Sequence, residues 1–278
     1  MKRSPLRWVG GKTQLVDQIV PFFPIKMQNY YEPFVGSGVI LFEVIRKREQ
    51  GDIQMLGDII VNDINKGLIN FYKWFQREAS NMIATINELE FNYNSLDNVR
   101  QKEYYYALRT KYNATIDTLS VDNAIYFYMI NHLCYRGLYR EGSRGFNTSF
   151  GFATKMTITD PDEFMYFSRL IEGVKFYNQP YDEFVRDNLT SISRNDVMYL
   201  DPPYFKSYNR YHSSKFDDVK FVDVLKNISC FWVLSNLHIP EIMNSFSGHT
   251  YRILSCQRKM PSNKNDRLLV DEVIIFSN

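Results

Sequence analysis

The sequence predicts an α/β protein built on a mostly parallel sheet, with a helical insertion between the two halves of the sheet domain. Three observations carry this expectation. Short apolar runs at Tyr30-Tyr31, before Val61, and at Val174 to Tyr177, Val197 to Leu200, Phe231 to Leu234 and Val273 to Phe276 have the length and character of buried strands. A helical period from Val39 to Arg48 separates the first two, the strand-helix-strand order of βαβ units. From about Lys66 to Leu133 the chain is polar, aromatic and helical in pattern, with little strand signal. The expected division is a discontinuous sheet domain at 1–65 and 156–278 and an insertion at 66–155. The end of that insertion, near 134–155, loses its helical pattern to Gly137, Gly142, Gly145 and Gly151, interleaved with Arg136, Arg140 and Arg144.

With 278 residues, 45% hydrophobic and 23% charged, the chain can bury a substantial core and has the composition of an ordinary soluble protein. A net charge of +2 neither demands nor excludes a nucleic-acid partner, so any such surface must come from local clustering of Lys and Arg. The basic N-terminus leads into no long apolar stretch, so neither signal peptide nor membrane span is expected, and the expected compartment is cytoplasmic. Cys134, Cys230 and Cys256 are too scattered for a disulfide framework or zinc knuckle, and His132, His212, His238 and His249 lack ligand spacing. No metal is expected, and the chain is expected to be a monomer.

Asp201-Pro202-Pro203-Tyr204 follows the Val197 strand, and ligands of open α/β sheets gather at such carboxyl ends. The four residues suit methyl transfer to the exocyclic nitrogen of a flat base. That nitrogen's lone pair is delocalised into the ring, so acceptors must draw on its two hydrogens. Asp201 can be one acceptor; the other can be the Pro202 carbonyl, held outward by the restriction that Pro203 imposes. Tyr204 offers a face for an extruded base. A simple strand-terminating turn is the alternative for these residues. Upstream, Glu32-Pro33-Phe34-Val35-Gly36-Ser37-Gly38 lies between strand and helix, where glycines let a cofactor approach the backbone. Asn62-Asp63-Ile64-Asn65 ends the next strand, placing Asp63 where an acid accepts hydrogen bonds from ribose hydroxyls.

Arg7-Trp8-Val9-Gly10-Gly11-Lys12-Thr13 ends like a phosphate loop, but Leu6 stands where that loop requires glycine and no adequate strand precedes it. It reads instead as a tight turn starting a helix from Lys12, or as a place where Trp8 and Lys12 face a cofactor. Ser235-Asn236 is either a strand cap or part of a base pocket. Tyr104-Tyr105-Tyr106 reads as core of the insertion. The basic stretch from Arg258 to Arg267 reads as a loop before the last strand, either clamping phosphate or solvated.

In motif order over nearly its whole length, the chain resembles the DNA adenine methyltransferase (Dam) family. The resemblance implies a seven-strand, Rossmann-like S-adenosylmethionine-dependent methyltransferase sheet with a helical DNA-recognition insertion. It implies methyl transfer from S-adenosylmethionine to a flipped-out adenine in double-stranded DNA, with Asp201, Pro202 and Tyr204 catalytic. Cofactor contacts are expected at Trp8, Lys12, Glu32, Phe34, Gly36, Gly38, Asp63 and Asp201. Arg136 to Arg140 with Arg144 to Gly151 resembles the family's DNA-reading hairpin, so DNA contacts are expected at Arg7, Arg136, Leu138, Arg140, Arg144 and Asn147. Arginine suits guanine because its planar fork pairs with O6 and N7. On this resemblance the expected site is GATC, read in part by Arg140. Arg136 and Ser149 depart from the family's Asn and Pro, which leaves the target sequence open. Rival readings are methylation of RNA or of another amino group, and a catalytically silent DNA-binding relative. Whether the enzyme works alone or beside a partner nuclease is equally open.

Overall fold

The computed structural model describes residues 3–152, 155–156, 159–205, 216–259 and 267–277. Seven strands make the central sheet: β1 (Tyr30–Glu32), β2 (Ile59–Asn62), β3 (Lys175–Tyr177), β4 (Val197–Leu200), β5 (Phe231–Leu237), β6 (Tyr251–Lys259) and β7 (Arg267–Phe276). In space they run β6-β7-β5-β4-β1-β2-β3. Strands β1 to β5 are parallel, and only β7 reverses, pairing antiparallel with both β5 and β6. The expected α/β class is therefore the observed one.

Strand periodicity divides the apolar residues between two cores. Tyr30, Val61, Val197, Tyr199, Val233 and Ile274 face one side, and Tyr31, Ile60, Met198, Leu200, Leu234 and Val273 the other. All four residues of β4 are buried, as expected of a central strand covered on both faces. Burial of Met198 or Leu200 contributes roughly 1.5–3 kcal/mol each. The first face is covered by α1 (Val39–Glu49), α2 (Lys66–Asn94) and α5 (Pro161–Leu170), and the second by α6 (Tyr181–Asn188), α7 (Asp218–Lys226) and α8 (Pro240–Ser245).

Helices α2, α3 (Asn98–Ala114), α4 (Val121–Leu133) and α5 start at Asn65, Asp97, Ser120 and Asp160, whose side chains accept from backbone N–H groups of the first turn. Each cap satisfies a donor that the helix leaves open. The first turns of α2 serve the sheet: Tyr72 stacks on Phe176 of β3 at 5.2 Å, and Gln76 donates to the carbonyls of Ile171 and Val174. At Glu78 the backbone leaves helical geometry (φ −131°, ψ 27°), and beyond it buried Glu90 accepts from Thr159 N and Oγ1. Tyr105 is fully buried and donates to the Thr148 carbonyl, which places the centre of the tyrosine run in the core.

Two expectations are corrected. The helix expected from Lys12 is a single turn, Val16–Ile19, because Gly10 (φ +83°) and a Gly11-to-Trp8 hydrogen bond hold the chain in a tight turn first. The basic stretch is not simply a loop: Arg258 and Lys259 belong to β6 and Arg267 to β7, while 260–266 lie outside the described residues. Strand β6 had no sequence signal because it is an edge strand with Tyr251 and Ile253 half-exposed among polar neighbours.

From β1 the chain proceeds outward to β2 and β3, and from β4 it proceeds the other way to β5. The loops leaving the carboxyl ends of β1 and β4 therefore diverge and leave a crevice.

Candidate active site

That crevice is a cleft of about 750 Å³, within the range that holds a drug-sized or nucleoside ligand. It gathers most of the residues expected at a cofactor: Trp8, Lys12, Glu32, Phe34, Gly36, Asp63 and Asp201 line it together with Pro202 and Tyr204. Gly38 does not line it. With φ +72° it starts α1, and a Cβ there would meet the Tyr72 hydroxyl at 2.9 Å. Gly36 does face the cleft, and a Cβ on it would lie 3.2 Å from the Trp8 ring.

Asp63 organises this loop. One carboxylate oxygen accepts from Gly36 N at 3.0 Å and the other from Asn65 N at 2.9 Å, tying the glycine turn to the cap of α2. Glu32, at the end of β1, is buried and accepts from the Tyr30 hydroxyl at 2.9 Å. Burial pushes its pKa well above the usual carboxylate range, and the charges of Asp201 and Asp63 add to the effect.

Asp201 leaves β4 half-buried, with 21% of its side chain exposed. Its Oδ1 takes Lys12 Nζ at 2.6 Å and Ser235 Oγ at 3.0 Å. Both bonds fall on the same oxygen, which leaves Oδ2 without a hydrogen bond from any described residue. Burial raises the Asp201 pKa, and Lys12 and Ser235 only partly offset this. Burial also opposes the Lys12 charge, yet Asp201, Tyr204 and Glu272 around it hold the ammonium well above its ordinary pKa. The ammonium lies 3.6 Å from Glu272 Oε2 and 5.5 Å from the Tyr204 ring centre, and Tyr204 donates to Glu272 Oε1 at 3.1 Å. Ser235, left between two readings by the sequence, bonds both Asp201 and the Tyr199 hydroxyl. Asn236 is fully buried and its Oδ1 accepts from the backbone N–H of Phe205 and Leu237.

The opposite wall of the cleft is aromatic. Phe34 packs on Tyr181 at 5.3 Å and on Phe216 at 6.2 Å, with Lys220 and Asp182 paired at 2.6 Å beside them. Tyr139 reaches the cleft from the insertion side, stacking on Trp8 at 5.9 Å and sharing a hydroxyl hydrogen bond with Tyr112 at 3.0 Å. Phe34 and Trp8 were expected there, whereas sequence reasoning missed Tyr139, Tyr181, Asp182, Phe216, Lys220 and Glu272. Glu272 had a weak signal, an acid directly before the apolar run Val273 to Phe276, where an unpaired carboxylate is costly if buried.

The residues expected at DNA lie apart from the cleft floor. Glu141–Gly142 and Gly145–Phe146 form a short antiparallel hairpin with Ser143 and Arg144 at its tip. Asn113 of α3 pins the hairpin by bonding both N and O of Phe146. Arg144 and Arg136 are exposed, the latter with φ +57° and its guanidinium 5.1 Å from the Tyr135 ring. Arg140 Nε donates to Asn147 Oδ1 at 2.6 Å and Nη2 to the Asn147 carbonyl at 3.3 Å, so one edge of its fork is fixed. The Leu138 carbonyl accepts from Thr148 Oγ1 at 2.8 Å. Arg7 is held by Asn131 through its backbone and donates to the His132 carbonyl at 3.0 Å. Among the described residues no group of three or more His, Cys, Asp or Glu could hold a metal ion, and no helix is long and apolar enough to cross a membrane.

A mostly parallel sheet with an acid-lined cleft at the ends of β1 and β4 places the cleft where open α/β sheets bind their ligands. The family model of D12 class N6 adenine-specific DNA methyltransferases matches residues 8–260, and the chain belongs to that family. It is 30% identical to the Type II methyltransferase M.MjaIII of Methanocaldococcus jannaschii over 80% of this chain and 79% of that one. It is 27% identical to the DNA adenine methylase of Haemophilus influenzae over 99% and 93% of the two chains. It is 26% identical to the Type II methyltransferase M1.LlaDCHI of Lactococcus lactis over 97% and 93%. The protein is a DNA methyltransferase acting on adenine N6, with S-adenosylmethionine as methyl donor.

The cleft fits that donor. Its acids, Glu32, Asp63 and Asp201, suit a sulfonium cation and ribose hydroxyls, its aromatic wall suits a flat base, and Gly36 keeps the backbone clear.

Proposed function

We propose that the cleft holds S-adenosylmethionine against Trp8, Lys12, Glu32, Phe34, Gly36 and Asp63, and that Asp201 to Tyr204 receives an adenine rotated out of duplex DNA. The observation that carries this reading is Asp201 itself: at the end of β4, in the cleft, with Oδ1 held by Lys12 and Ser235. Oδ2 is then the atom that accepts one amino hydrogen of adenine, and the Pro202 carbonyl accepts the other. Drawing on both hydrogens returns lone-pair density to the nitrogen. Tyr204 supplies a face for the base, and its position is set by its hydroxyl bond to Glu272. When bound, S-adenosylmethionine supplies an already activated methyl group, so alignment accounts for most of the remaining barrier. Extruding the base costs a few kcal/mol, offset by contacts in the pocket.

The hairpin near 134–155 is read as the DNA-reading element of an insertion at 66–155, with Arg7, Arg136, Leu138, Arg140, Arg144 and Asn147 at the duplex. Asn147 orients Arg140 by holding the Nε edge of its guanidinium, which leaves the Nη1 end to meet guanine. The target proposed is GATC. Mapping N6-methyladenine in DNA from cells expressing this chain alone tests the assignment. Methylation confined to GATC is expected; methylation at another motif would overturn the site, and none at all would overturn the reading.

A further inference from the structure

We propose that Glu272, on β7, is a positioning residue of the methyl-transfer site, holding Tyr204 through its hydroxyl and sharing Lys12 with Asp201. This rests on the reading that Asp201 accepts an amino hydrogen of the target base. Asp201, Lys12, Glu272 and Tyr204 form a closed ring of contacts: 2.6 Å from Asp201 to Lys12, 3.6 Å from Lys12 to Glu272 and 3.1 Å from Glu272 to Tyr204. Pro202 and Pro203 close the ring covalently. Each end of the four-residue turn is thus fastened to something outside it, Asp201 to Lys12 and Ser235, and Tyr204 to Glu272.

The anchor is rigid. Glu272 is 1% exposed and its strand pairs on both sides, with Leu237 of β5 and Leu254 of β6. A buried carboxylate so placed is costly unless it meets a cation and a donor. Lys12 and the Tyr204 hydroxyl supply both. An apolar residue at this position would avoid that cost but would leave the hydroxyl of Tyr204 without this acceptor and would take from Lys12 one of the two carboxylates that meet it among the described residues.

The second effect is electrostatic. The charged and titratable groups facing Asp201 are Lys12 from the N-terminal turn, Glu272 from β7, Glu32 from β1, and Tyr199 at the end of β4, with the Ser235 hydroxyl from β5. Burial raises the Asp201 pKa, Lys12 draws it down, and Glu272 pushes it up again. Glu272 therefore counters the pull of Lys12 and keeps Asp201 a stronger acceptor.

The test is Glu272→Gln, close in shape but uncharged, with Tyr204→Phe beside it. Single-turnover methyl transfer is measured against pH, with S-adenosylmethionine and duplex affinities measured separately. Glu272→Gln is expected to lose about tenfold in rate with both affinities within about twofold. Its acidic limb should move to lower pH, since Asp201 loses a neighbouring negative charge. Tyr204→Phe should lose about three- to tenfold without moving the limb. A Glu272→Gln limb at the wild-type pH, or a Tyr204→Phe variant with full rate, would overturn the proposal. So would a rate loss that merely tracks a lowered melting temperature. An active Asp201→Ala variant would instead sink the reading beneath it, and the two failures are thereby distinct.

Discussion

Lys12→Met removes the ammonium that the structure places between half-buried Asp201 and buried Glu272 while keeping an apolar stem of similar length. The Lys12 side chain is 3% exposed, and its partners Asp201 and Glu272 are 21% and 2% exposed. Breaking a buried ion pair by removing one partner costs about 3–5 kcal/mol because the other charge stays behind in a poor solvent for it. That loss should appear in full at pH 7.5. Without Lys12 the Asp201 pKa, already raised by burial, rises further. Between the unfolded and folded pKa values the folded state then binds more protons than the unfolded state, so the variant regains stability as pH falls. Each pH unit in that window returns up to about 1.4 kcal/mol per proton taken up. Urea unfolding of wild type and variant at pH 7.5 and pH 5 measures both quantities. The difference should be several kcal/mol at pH 7.5 and distinctly smaller at pH 5. A difference below about 1 kcal/mol, or one equal at the two pH values, would refute the buried-charge argument.

Asp63→Ala should weaken S-adenosylmethionine binding by about 1.5–3 kcal/mol and leave duplex binding nearly unchanged, because its bonds to Gly36 and Asn65 shape the glycine turn. Calorimetry with each ligand separately reads this. Arg140→Ala should cost about 1–3 kcal/mol and relax discrimination at one base pair of GATC. Asn147→Ala should relax the same base pair to a lesser degree, since it fixes the Arg140 fork. Methylation rates on GATC and its single-base variants decide this; a uniform loss on all substrates with a weaker salt dependence would mean a phosphate contact instead.

Much of the cleft was legible in the sequence because its parts are local. The glycine turn, the acid ending β2 and the Asp-Pro-Pro-Tyr turn each announce a strand end within a few residues, and parallel topology brings strand ends together. The partners of those residues were not legible. Glu272 and Lys12 lie at opposite ends of the chain, and only the antiparallel insertion of β7 beside β5 brings them together. Tyr139 sits inside a run that reads as DNA-facing, yet its ring turns inward onto Trp8. Gly38 shows the converse: the glycine pattern placed it at a cofactor, whereas it lies off the cleft, and its positive φ and the lack of room for a Cβ beside Tyr72 explain the glycine at the start of α1. The Tyr204 hydroxyl, which a pure stacking role leaves idle, donates to Glu272, a pairing that nothing in the local sequence announces.

Single-turnover methyl transfer by Asp201→Ala, with S-adenosylmethionine and duplex affinities measured on the same preparation, addresses the central claim most directly. The account predicts near-complete loss of transfer by a folded variant that still binds duplex DNA, with a far smaller loss of S-adenosylmethionine affinity, because the change removes an acceptor for the adenine amino group from one wall of the cofactor cleft. Substantial transfer by a folded Asp201→Ala variant would contradict it.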